Sequence, residues 1–178
     1  MKFLLFISAL ITFFSCSDIN KGEQLKAIEN IQKSIDSVET VLIETSFDEV
    51  DRYFKEAIIV QSRIKENYNS DTISMDLAIK LDKYKNLVLK TPILQKSYAK
   101  IVKDTESFKT SVAKLYLDIE NGNGNRAEYD KYITDELENI KLLRELLVKY
   151  HMERKYLIEN YQLLHDVVYN FSFDLITN

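Results

Sequence analysis

Asn121-Gly122-Asn123-Gly124-Asn125 is the segment on which the fold turns. It holds two of the three glycines in a chain of 178 residues, and glycine and asparagine are the residues that best accept the left-handed backbone that ends a helix. Both flanks are periodic. Upstream run Leu94, Tyr98, Ile101, Phe108, Val112, Leu115 and Ile119; downstream run Tyr129, Ile133, Ile140, Leu143, Leu147, Tyr150, Leu157, Tyr161, Leu164, Val168, Phe171 and Leu175. Apolar residues at such spacings share one face of a helix. The segment therefore reads as a tight reversal between two long helices.

Working outward, the downstream helix covers 127–175, about 47 residues or roughly 70 Å at 1.5 Å per residue. Arg154 falls on its apolar seam, where it marks a loosened stretch or an end of the shared core. The upstream run covers 72–120 and contains Thr91-Pro92, which has the form of an N-cap followed by proline at the first helical position. Leu77, Tyr84, Tyr98, Val112 and Ile119 nevertheless share one seven-residue frame across the proline, which favours a kink or a brief break over a full reversal. Asn67-Tyr68-Asn69-Ser70-Asp71 reads as a loop. Before it, a run over 23–68 changes register at Thr45-Ser46: Leu25, Ile28, Ile31, Ile35, Val38 and Leu42 form one seam, and Phe47, Val50, Phe54, Ala57, Ile64 and Tyr68 another. Ser46 with Glu49 three residues on has the capping-box pattern for a new helix.

Three runs of nearly equal length predict an all-α fold: an elongated, coiled-coil-like antiparallel three-helix bundle with breaks near Ser46 and Pro92. If those breaks are true turns, the alternative is a compact bundle of four or five helices. The composition agrees. Three Gly and one Pro leave too few turn residues for sandwiches, barrels, propellers or glycine-rich phosphate loops. The 46% hydrophobic and 29% charged residues are too apolar for disorder and too charged for a polytopic membrane protein. A net charge of −4 without basic blocks argues against nucleic acid held by its phosphates.

The N-terminus carries a second message. Lys2 precedes the apolar stretch Phe3–Phe14, which meets Ser15-Cys16-Ser17. That stretch is short of the ~20 residues of a membrane span and has the layout of a secretory signal. The chain's single cysteine stands at its end, a placement that resembles the lipobox of bacterial lipoproteins. Lipoboxes typically carry Leu three places and Ala or Ser two places before the cysteine; Phe13 and Phe14 depart from this, whereas Ser15 fits the small residue expected next to it. The resemblance covers residues 1–16 only. It implies a signal peptide over 1–15, cleavage before Cys16, acylation of its thiol and export to the cell envelope. Ser17 after the cysteine favours the outer membrane slightly over the inner. The competing reading is ordinary cleavage after Ser17, which discards Cys16; a lone exported thiol without a disulfide partner favours lipidation. Residues 16–22 then form the lipidated cysteine and a short tether of at most roughly 20 Å, and 23–178 the helical domain. Loss of Lys2 takes the charge from −4 to −5, so acyl chains rather than a polybasic surface would hold the membrane.

Motifs for chemistry are scarce. His151 and His165 lie two heptads apart, roughly 21 Å along a helix, so they cannot share a metal, and Val148 and Gln162 stand where a di-iron bundle would place Glu. There is no H-E-x-x-H, no cysteine set for zinc or iron–sulfur and no nucleophile elbow. Asp48/Glu49/Asp51 and Asp135/Glu136/Glu138 have the pattern of solvated helix faces. The expectation is a non-enzyme without cofactor or metal.

Eleven tyrosines with no tryptophan offer two accounts: rings closing the margin of a thin core, or a partner surface. For the second, Tyr150, Tyr156, Tyr161 and Tyr169 are the candidates, with the apolar tail Phe171-Ser172-Phe173-Asp174-Leu175-Ile176 docking on the bundle or on another protein. Two functions follow: a membrane-anchored scaffold or adaptor for an envelope protein, or an extracytoplasmic module that binds or senses a small apolar or peptide ligand.

Overall fold

The computed structural model describes the backbone of residues 15–177 and the side chains of residues 20–177. The expected leader over 1–15 and the side chain of Cys16 lie outside the described residues. Helix α1 spans Ser15–Glu44, α2 Asp48–Asn67, α3 Met75–Asn121 and α4 Tyr129–Thr177, with a single 3-10 turn at Arg126–Glu128. The fold is all-α, with no strand among the described residues.

Every position of the apolar seams is buried or half-buried, because a helix can hide only one stripe and the spacing names which. Two compact units result. In the first, the described part of α1 through Val41 packs with Val102–Glu145, and Ile28, Ile31, Ile35 and Val38 of α1 share a core with Val112, Leu115 and Ile119 of α3 and Ile133 and Ile140 of α4. Here α1 and α3 are antiparallel: Lys109 Nζ lies 2.6 Å from Glu39 Oε1, while Gln24 lines a surface groove with Ile119 and Gly122. The reversal closes this unit. Gly122 and Gly124 have φ of 68° and 80°. The Asn123 N–H donates to the Asp118 carbonyl at 2.7 Å and the Gly122 N–H to the Ile119 carbonyl at 3.2 Å, the paired bonds of a Schellman ending.

The second unit combines Leu42–Ile101 with the chain from Leu146 onward. Within it α2 and α3 are antiparallel, Phe47 facing Tyr98 with ring centroids 6.4 Å apart and Gln61 sharing a groove with Tyr84. Helix α2 runs parallel to α4: Glu49 meets Arg154 and Arg63 meets Ser172.

Two expectations are corrected: the N-cap at Thr91 and the capping box at Ser46. Pro92 does not break the chain; it sits inside α3, and Thr91, expected as an N-cap, instead donates its hydroxyl to the Leu87 carbonyl at 2.9 Å. The packed seams on both sides of Pro92 hold the helix through the missing N–H. The break near Ser46 is real, but no capping box forms: Phe47 is the N-cap of α2 and makes no side-chain cap bond, while Ser46 donates to Asp48 and Glu49 is engaged by Arg154. Residues 16–22, the expected lipidated cysteine and short tether, carry helical backbone as the start of α1, with Gly22 inside it.

Candidate functional site

The second unit concentrates the aromatic and polar features of the chain. On α4, Tyr161, His165, Tyr169 and Phe173 recur every four residues, so their rings stack along one face. Their centroids are 4.5, 5.7 and 6.4 Å apart in succession. Tyr161 also lies flat against Tyr53 of α2, 4.3 Å between centroids and 12° between planes, and Tyr84 of α3 stands 6.1 Å away.

Two hydroxyls within this cluster are paired. The Tyr84 hydroxyl is 2.7 Å from His165 Nδ1, and the Tyr161 hydroxyl donates to Glu56 Oε2 at 2.6 Å. Burial pushes both phenols well above the usual tyrosine range, with the Glu56 carboxylate adding to the effect. At neutral pH these hydroxyls stay protonated. The Tyr84 and Tyr161 end of the cluster is core, and the Tyr169 and Phe173 end opens to solvent.

Of the six aromatic residues expected at a partner surface, three are turned inward. Tyr150 is buried and donates to the Thr45 carbonyl at 2.7 Å, Tyr161 lies in the column just described, and Phe171 is half-buried with its ring edge on Tyr68, 5.7 Å away. The same amphipathic period that placed them on the tail helix put them on its buried face. Tyr156, Tyr169 and Phe173 are exposed, with the Arg63 guanidinium 5.5 Å from the Tyr169 ring centroid. The tail docks internally: Ser172 is buried and accepts from Arg63 Nη1 at 3.2 Å.

Arg154, the charged residue on the seam, is explained by the break in its neighbour. Its Nε donates to the Ser46 carbonyl at 3.1 Å and its Nη2 to Glu49 Oε2 at 2.8 Å. One guanidinium thus closes the joint between α1 and α2.

Two surface grooves flank this core. One, of about 390 Å³, lies between α3 and α4 and is lined by Lys90, Ile93, Leu94, Met152, Glu153, Tyr156 and Leu157. The other, of about 410 Å³, lies mainly between α2 and α3 and includes Gln61, whose amide nitrogen is buried without a hydrogen-bond partner. Compared with protein-family models, with curated proteins and with solved structures, the chain matches none. Its function therefore has to be read from these surfaces.

His151 is exposed. Among the described residues there is no group of three metal-ligating side chains, and no helix long and apolar enough to cross a membrane. Sequence reasoning missed Gln61, Tyr84 and Glu56 as members of these sites. The four-residue spacing of Tyr161, His165, Tyr169 and Phe173 was a signal available for the column; nothing local marks Gln61.

Proposed function

We propose that this chain is a lipid-anchored, non-enzymatic protein of the bacterial cell envelope that acts as a helical scaffold or adaptor, docking a protein partner on the α3–α4 face of its second unit. The observation that carries the docking reading is the apolar character of that face. Ile93 is 63% and Met152 66% exposed, with Leu89, Val148 and Tyr156 also open to solvent. On α4, Val148, Met152 and Tyr156 are four residues apart, so they form one stripe away from the buried seam. Lys90 lies 4.8 Å above the Tyr156 ring and Glu153 balances its charge in the groove lining. An apolar centre with a charge-balanced polar edge suits the apolar face of a partner helix.

Anchoring rests on the leader pattern and Cys16, and the outer membrane on Ser17. The proposal takes the domain as an elongated antiparallel three-helix bundle; a maximum dimension by small-angle scattering far below about 70 Å would refute that shape. To test docking, a photocrosslinker at Met152 is compared in native membranes with one at exposed Lys131. A discrete protein adduct at Met152 alone, lost with Tyr156→Asp, supports the adaptor reading; equal or absent adducts sink it. Cys16→Ala should release the protein from the membrane fraction, and retention there would refute the anchor.

A second reading, ligand binding or sensing, is favoured by the α2–α3 groove.

A further inference from the structure

The α2–α3 groove is unlike the docking face in its charge. Ile58, Ile64, Leu81 and the buried edge of Val168 make its wall apolar, while Lys65 and Lys85 stand at its rim and no carboxylate lines it. Neither ammonium makes an ion pair among the described residues. In a chain whose net charge is −4, two unpaired lysines over an apolar floor are a local reversal of sign, and this matches an anion rather than a neutral or cationic group.

A second, independent feature points the same way. Gln61 lines this groove, and its Nε2 is shielded from solvent with no acceptor in reach. Buried amide donors are almost always satisfied, because an orphaned one loses its water without replacement. No side chain or carbonyl among the described residues stands within hydrogen-bonding distance of it. Turned toward the groove, the Gln61 amide would find in a bound anion the acceptor it lacks. The volume of about 410 Å³ lies within the range of small-molecule sites.

We infer that this groove binds a free amphiphilic carboxylate, its aliphatic body against Ile58, Ile64, Leu81 and Val168, and its carboxylate held by Lys65, Lys85 and the Gln61 amide. The inference stands apart from the adaptor reading, which uses a different face.

The test uses the full chain in phosphatidylcholine nanodiscs with glutamine labelled in nitrogen-15, the Gln61 side-chain amide being assigned with Gln61→Met. Octanoate is titrated against octan-1-ol and octylammonium. The expected result is a saturable shift of the Gln61 signal by octanoate, with affinity at least about tenfold weaker for both other probes and for octanoate on the Lys65→Gln/Lys85→Gln variant. Both lysine positions are solvent-exposed, so the variant keeps its fold. No saturable shift at millimolar octanoate, equal response to all three probes, or undiminished affinity in the double variant would overturn the inference. Nanodiscs containing phosphatidylglycerol supply the remaining arm. A Gln61 shift there without octanoate would assign the groove to an anionic headgroup and overturn the free carboxylate, whereas an unchanged signal supports it.

Discussion

Arg154 reaches Glu49 at 2.8 Å, and its Nε donates to the Ser46 carbonyl at 3.1 Å, so a residue 105 positions away in sequence from Glu49 closes the interruption between α1 and α2. Its side chain is only 15% exposed, which makes the ionic bond stronger than a surface pair and its loss more costly.

Arg154→Met is therefore expected to destabilise the protein by about 1–2 kcal/mol, since it leaves the Ser46 carbonyl without its donor while Glu49 keeps water and the Tyr53 hydroxyl. Arg154→Lys should recover less than half, because an ammonium lacks the planar fork that meets two acceptors. Urea unfolding of the three proteins checks both values, and equal stability of all three would show that the joint holds without the guanidinium.

The buried tyrosines predict alkaline sensitivity. Burial pushes the Tyr150 hydroxyl up to about 12 from 10.0, against the opposing effect of Arg154, and Tyr84 and Tyr161 are raised further by burial and Glu56. A pKa higher in the folded than in the unfolded chain means that folding favours the protonated form. The associated stability is fully present below pH 10 and is lost as pH rises toward 12 and beyond. For Tyr150 alone the loss approaches about 3 kcal/mol. Ultraviolet titration of phenolate should show late-titrating tyrosines whose ionisation coincides with loss of helical circular dichroism. Tyr150→Phe, which removes the donor to Thr45, should cost about 1–2 kcal/mol at neutral pH and weaken this alkaline dependence.

Backbone substitutions at three sites should differ in sign. Pro92 is exposed inside α3, so Pro92→Ala restores a helical N–H and is expected to stabilise by about 1–3 kcal/mol. Gly22→Ala in α1 meets nothing within 4 Å and should add about 0.5–1 kcal/mol. Gly122→Ala should instead cost about 1–2 kcal/mol, because φ is +68° and the new Cβ would fall 2.1 Å from Arg126 Nη2. Thermal melts decide each case. A lower melting temperature for Pro92→Ala would mean that α3 requires the geometry proline imposes.

Deletion of residues 170–178 removes Phe171 from Tyr68 and Ser172 from Arg63. The melting temperature should fall by roughly 5 °C or more. An unchanged melt would show that these contacts contribute nothing to the fold.

Much of the architecture is legible in the primary structure, and for identifiable reasons. The seam from Ile28 to Leu42, and the one from Tyr129 to Val168, are buried where the three-and-four spacing puts them, because periodicity is a local property that a helix converts directly into a face. The reversal at Gly122 and Gly124 is legible because positive φ selects glycine. At Pro92 the seven-residue frame shared by both sides rightly spoke against a reversal, and only the cap pattern of Thr91-Pro92 gave way, because packing on both sides outweighs that local preference. Tyr150 and Tyr161 show the limit of residue type, since a tyrosine at a seam position serves equally as core or as contact surface until its hydroxyl finds Thr45 or Glu56.

The amino-acid sequence by itself determined the all-α class, the reversal and which stripe of each helix is hidden. Those features depend on neighbours within a turn or two. The tertiary structure decided the rest: that Arg154 closes a joint, that Tyr84 meets His165 across 81 residues of chain, that Tyr156 faces out while Tyr161 faces in, and that the Gln61 amide is left without an acceptor. Each is a relation between helices distant in sequence, and helical periodicity, which repeats every 3.6 residues, carries no information about which face of another helix will arrive opposite.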